Sequence, residues 1–289
     1  MTIYSLQVIT TTGYPYYNLE IEPLPKGVPL YLRFFDFSTQ EFNHEKEFNP
    51  TECFELTSGF VSAIFEFARL LDKNLKVLEF IPLRKNTKRS NKSQEKQIKK
   101  QSGNVLITCQ TETYLNSKAV KQKVQMIFDW VIQNKIPLGF EKKINLEEKE
   151  RIIRILTDAK AKELIEAKKD ELTRVFNKFL NEMEVYGLEG VCVTSFDLSP
   201  IISFGINFKS VAVLLRNLGT IPEVETLRWK YRESTIGDLR KWIYIVNSGV
   251  GPSEESIFMP YYYILFASPE SFLGESPGIL ASKINLILG

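Results

Sequence analysis

The sequence predicts an α+β protein of two mixed domains, each an antiparallel-rich sheet with helices packed against it. Three observations point there. Extended runs with alternating apolar residues come in pairs around turn residues, as hairpins do. Between the pairs the apolar period changes to that of a helix. The 289 residues, 44% hydrophobic and 25% charged, with 20 Phe, 12 Tyr and 3 Trp, supply apolar surface for two cores.

The elements follow in order. Tyr4, Leu6 and Val8 share one face of a strand, and Tyr17, Leu19 and Ile21 share one face of the next, with Gly13 at the turn. After Pro23 to Pro29 comes an aromatic strand, Tyr31 to Phe37, and then a polar loop to about Thr51. Leu56, Phe60, Ala63, Ile64, Phe67, Leu70 and Leu71 form a helical stripe. Strands are expected over 75–83 and 104–110. Val120, Val124, Ile127 and Val131 mark a helix that Pro137 ends.

Asn145 and Glu148 have capping-box spacing at the head of a long helical region. Ile152, Ile155, Leu156 and Ala159 mark its first apolar face, and Leu172, Phe176, Phe179 and Met183 a later one. The stretch from Lys160 to Asp170 is charged almost all round and reads as solvated. Gly187 and Gly190 are expected to stop the helix.

A buried strand over 191–195, a turn at Asp197-Leu-Ser-Pro200 and a returning strand, Ile201 to Ile206, come next. Phe208, Val211, Leu215 and Leu218 mark a short helix. Strands are expected over Leu227–Arg232, Trp242–Asn247 and Tyr261–Ala267, the last within an aromatic run that suits a central strand. A final helix from Pro277 to Leu288 carries Ile279, Leu280, Ile284 and Leu288. The implied division is a domain over 1–140, a helical connector over 141–171 and a domain over 172–289.

Several chemistries lack their residues. Cys53, Cys109 and Cys192 are widely spaced, and His44 is the sole histidine, so neither a disulfide framework nor a zinc site is read. A triad would need His44 as its base, and it lies in the polar loop. Gly274-Glu-Ser-Pro-Gly278 matches G-x-S-x-G, but Pro277 has no N–H to offer an oxyanion. No phosphate-binding G-x-x-x-x-G-K-[ST] occurs, and Asn247-Ser-Gly-Val-Gly251 reads as a hairpin loop. No catalytic residue, cofactor site or metal site is assigned. The N-terminus lacks the pattern of a secretory signal and no apolar stretch is long enough for a membrane span, so a cytoplasmic protein is expected.

The formal charge is +2, yet one stretch is strongly basic: Arg84, Lys85, Lys88, Arg89, Lys92, Lys96, Lys99 and Lys100, opposed by Glu95. A solvated loop is the plain reading. Contact with an anionic membrane surface or acidic partner follows, at about 1 kcal/mol per cation. Nucleic acid ranks after that, because no aromatic residue is interleaved for stacking on bases.

The order of elements resembles a known pair of folds. Ile3–Ile132 resembles a longin-type domain of the archaeal kind, with its N-terminal hairpin, Leu56-Thr-Ser-Gly-Phe-Val-Ser-Ala-Ile-Phe-Glu-Phe-Ala68, and the strands and helix beyond. Leu172–Gly289 resembles a roadblock domain, with Gly190-Val-Cys-Val-Thr-Ser-Phe-Asp-Leu-Ser-Pro200 as its first strand and turn. That family's pattern has glycine where Leu198 or Ser199 stands, so the turn differs here. The insertion over 23–51 and the basic stretch are further departures. The resemblance implies two profilin-like sheets joined by a long helix. It also implies a non-enzymatic platform for a small Ras-like GTPase or a membrane-trafficking complex, paired as a homodimer or within one chain.

Overall fold

The computed structural model describes residues 2–10, 13–37, 62–63, 66, 75–82, 105–138, 142–219, 221–254 and 256–289. The helix expected over 56–71 lies outside them but for three residues. His44, Cys53 and all eight cations from Arg84 to Lys100 lie outside them as well. The described chain is α+β, with two antiparallel-rich five-stranded sheets and six α-helices. It divides into an N-terminal unit, residues 2–113 and 124–153, and a C-terminal unit, residues 114–123 and 154–289. No helix of the described residues is long and apolar enough to cross a membrane.

The sheet of the N-terminal unit contains β1 (Ile3–Thr10), β2 (Pro15–Glu20), β3 (Leu30–Asp36), β4 (Leu75–Pro82) and β5 (Val105–Glu112) in the order β2-β1-β5-β3-β4. The expected hairpin closes through Gly13, at φ 84°. Ile3, Tyr4, Leu6 and Val8 are buried, as are Phe35 and Ile107 farther along the sheet. β3 and β4 pair in parallel, which the strand-and-hairpin reading did not anticipate. A parallel pair requires a long crossover, and residues 37–74 carry the chain from one strand to the other. Arg33 and Glu79 are register partners on these strands, bonded at 2.9 Å, and Arg33 is wholly buried.

Helix α1 (Ser117–Ile127) continues as a wider turn over Phe128–Ile132 and a tight one over Gln133–Lys135 before Pro137. The helical region beyond is three helices rather than one: α2 (Leu146–Leu156), α3 (Ala159–Ala167) and α4 (Lys169–Met183). Asp158, in the left-handed region at φ 55°, separates α2 from α3, and Lys168, at φ −111° and ψ 11°, separates α3 from α4. The capping box forms as predicted. Glu148 N donates to Asn145 Oδ1 and Asn145 N to Glu148 Oε2, both at 2.8 Å. The stretch read as solvated buries Ala161 and Ile165, two residues at i and i+4 that join the C-terminal core.

The sheet of the C-terminal unit contains β6 (Leu188–Thr194), β7 (Pro200–Phe204), β8 (Trp229–Ile236), β9 (Leu239–Asn247) and β12 (Tyr262–Ala267). Its order is β7-β6-β12-β9-β8, and every pairing is antiparallel. A small hairpin, β10 (Ser253–Glu254) and β11 (Ile257–Phe258), is too short to show a period in sequence. The aromatic run supplies the central strand, and all six residues of β12 are buried. Tyr263, Leu265 and Ala267 face the core shared with α4 and α6 (Ser276–Leu288), through Leu172, Phe176, Phe179, Leu280 and Ile284. Helix α5 (Phe208–Leu218) covers the other face, where Ser234 Oγ donates to Leu214 O at 2.6 Å. Ile279 is exposed, so the buried face of α6 is Pro277, Leu280, Ala281 and Ile284.

Gly190 does not stop a helix. It lies within β6, where a Cβ would meet Ile206 at 2.7 Å, so glycine lets the returning chain approach closely. Helical structure ends at Gly187, at φ 84°. β8 runs from Trp229 to Ile236 rather than from Leu227 to Arg232, and it closes on β9 through the two-residue turn Gly237-Asp238.

Candidate functional site

The sequence assigned candidate contacts only to the basic stretch, Arg84 to Lys100, and those residues lie outside the described chain. What the structure brings together instead is a buried charged cluster that the sequence reading missed. Val120, Lys123, Val124 and Ile127 form one stripe of α1 at helical spacing, and all four are buried. Lys123 therefore carries its amine inside. That signal was available: a cation sat in an otherwise apolar stripe.

Lys123 Nζ donates to Asp158 Oδ2 at 2.7 Å, to Asp197 Oδ2 at 2.5 Å and to the Leu156 carbonyl at 3.4 Å. The Phe196 ring lies 5.4 Å from the ammonium. Asp197 is in the predicted turn. Its Oδ1 accepts from Ser195 Oγ at 2.6 Å and from Ser199 N at 2.8 Å. Ser195 N bonds Ser199 O at 2.9 Å and closes the turn, with Leu198 at φ 77°. The altered turn thus places a buried leucine in the conformation glycine adopts without strain.

Burial alone would favour the neutral form of each group. Against that pressure the two carboxylates hold the Lys123 pKa above the usual lysine value. The Lys123 charge and the hydroxyl and amide donors hold Asp197 below the usual carboxylate range. Asp158 goes the other way: burial, with the Asp197 charge beside it, pushes it up to about 7. All three side chains are shut from solvent, so the cluster ties three chain segments together and presents nothing to a soluble ligand.

Elsewhere, burial pushes the Cys109 thiol up to about 12 and Cys192 higher still, which leaves neither as a nucleophile at neutral pH. Among the described residues no group of three or more His, Cys, Asp or Glu side chains is placed to hold a metal ion.

The surfaces of the C-terminal unit are the remaining candidates. β8 is an edge strand with Lys230, Tyr231, Arg232 and Glu233 exposed. The Tyr231 ring packs edge-on to Trp242 at 5.4 Å and against Tyr244 at 5.3 Å, so the aromatic face beside this edge is held in place. β7 forms the opposite edge. Beside it lies a groove of about 500 Å³, lined by Ile201, Ile202 and Ser203 together with Lys162, Ile165 and Phe208. No protein-family model matches the chain, and no curated protein does.

Proposed function

We propose that the chain is a non-enzymatic adaptor, a longin-plus-roadblock platform of profilin-like build, that receives a small Ras-like GTPase. The observation that carries this reading is the architecture of the C-terminal unit. One antiparallel sheet is covered by α4 and α6 on one face and by α5 on the other, and its edge strands β7 and β8 end the hydrogen-bonded order. Such a sheet offers edges and helix faces as binding surfaces. The domain bounds 1–140, 141–171 and 172–289 belong to this proposal, as do a cytoplasmic location, homodimer or intramolecular pairing, and peripheral membrane contact through Arg84 to Lys100.

The test is a binding titration against small GTPases of the same cell, each loaded with GDP or GTP. Saturable binding at about micromolar or tighter, about −8 kcal/mol or better, with a preference for one nucleotide supports the platform. Absence of binding across the panel removes it and leaves a general scaffold for other partners. The second reading, an accessory protein for nucleic acid, rests on the same eight cations. Lys96, Lys99 and Lys100 changed together to Glu separate the two, by losing binding to anionic liposomes in one case and to RNA in the other.

A further inference from the structure

Three chain segments converge on one ammonium group. Lys123 comes from α1, Asp158 from the joint between α2 and α3, and Asp197 from the β6–β7 turn, and all three are buried. One cation balances one carboxylate. With both carboxylates ionised the cluster holds a net negative charge away from water, which is costly. The two acids are unequal. Asp197 receives Lys123, the Ser195 hydroxyl and the Ser199 amide. Asp158 receives Lys123 at 2.7 Å, and the Ser195 hydroxyl, which is donated to Asp197, acts on it as a further neighbour.

The Asp158 N–H makes a long bond from a left-handed residue. The residue's φ is 55°, and its N–H reaches the Ile155 carbonyl at 3.4 Å. Its side chain is the firmer attachment, and the next helix begins from its carbonyl, with Lys162 N at 3.0 Å. The state of the carboxyl therefore bears on how well the joint is held.

We propose that Asp158 is a proton-operated latch of the C-terminal unit. Carrying a proton, it completes a neutral cluster that holds the α2–α3 joint to the β6–β7 turn; on losing the proton it loosens that joint. The charged groups acting on it are Asp197 from the turn and Lys123 from α1. The nearer charges of α2 and α3 are directed elsewhere: Arg154 pairs with Glu163 at 2.8 Å on the surface, and Lys160 reaches the Ser253 carbonyl. Burial and the Asp197 charge place the transition at about 7, so the latch operates in the neutral range. It is independent of whether a GTPase binds.

The experiment is a carboxyl-carbon NMR titration of the full chain, followed by hydrogen exchange. One aspartate resonance is expected to titrate with a midpoint of about 7 and to be missing from Asp158→Asn. Amides of residues 155–162, corrected for intrinsic exchange rates, should lose protection in the natural chain as pH rises from 3.8 toward that midpoint and level off above it. In Asp158→Asn, neutral at every pH, their protection should not change with pH. If every aspartate titrates below about 5, within its ordinary range, the proposal is overturned. It is also overturned if protection of 155–162 does not fall between pH 3.8 and about 7. The titration of the natural chain decides the matter even where the variant fails to fold.

Discussion

Lys123 shows how one side chain changes role with its surroundings. On an exposed helix face it would add a surface ion pair worth about 0–1 kcal/mol. Buried between Asp158 and Asp197, it is the counter-charge for two acids, and its loss strands both. Lys123→Met is therefore expected to destabilise the C-terminal unit by about 3–5 kcal/mol in urea unfolding, the usual cost of removing one partner of a buried pair. The pH dependence follows from the directions of the three groups. The Asp158 pKa rises from 3.8 to about 7 on folding, so its contribution is complete below 3.8 and is lost as pH rises through about 7. Asp197 is lowered, so its contribution is present above 3.8 and is lost as pH falls through the folded value. Lys123 is raised, and its contribution fails only above 10.5. Maximum stability is expected at mildly acidic pH, with a decline toward neutrality of at most about 1.4 kcal/mol per pH unit for one proton. Asp158→Asn should flatten that decline in thermal melts taken between pH 3.8 and about 7, the window between its unfolded and folded values.

At the scale of elements, local rules and close packing make separate predictions. The reciprocal bonds of Asn145 and Glu148 satisfy two donors at the head of α2. Asn145→Ala is expected to cost about 1 kcal/mol, with the loss in the N-terminal unit and no change in the exchange behaviour of β6 to β12. Gly205 follows β7 at φ 71°, and a Cβ there would lie 2.3 Å from the Glu189 carbonyl. Gly205→Ala should cost more than the cap, about 1–3 kcal/mol from backbone conformation before the clash is counted, and should lower the denaturation midpoint of the C-terminal unit. The capping box was legible because it is written within four residues. The break at Asp158 was not: aspartate tolerates the left-handed region, but Thr157-Asp158-Ala159 lies within a continuing helical period; its side chain is engaged by Lys123 and lies near Asp197, 35 and 39 positions away, and neither partner is visible locally.

At the scale of the whole molecule, the order of elements was legible and the pairing of strands was only partly so. Hairpins β1–β2 and β6–β7 join neighbours in sequence, and alternation reports them, whereas β8–β9 closes through Gly237-Asp238, a turn that the expected strand bounds left out. The parallel pairing of β3 with β4 spans a long crossover, and periodicity carries no record of which partner a strand takes. The basic stretch remains the feature best placed to decide between partners. Its charge makes a prediction that needs no structure: association with anionic vesicles should weaken steeply as ionic strength rises from low to about 0.15 M, where the Debye length is about 8 Å. Binding that ignores salt would rule out these cations as its source.

The amino-acid sequence by itself determined the α+β class, most of the described helices and strands, the Asn145–Glu148 cap, the turns at Gly13 and at 197–200, and the aromatic central strand. Each is set by period or by a few adjacent residues, and the energy involved is local. Tertiary structure alone decided that the region after Asn145 is three helices, that Gly190 is a close approach inside a strand, and that Lys123 joins two distant aspartates. Those outcomes depend on what burial brings together. A charge becomes consequential when water is removed from around it, and the linear chain does not say where that happens.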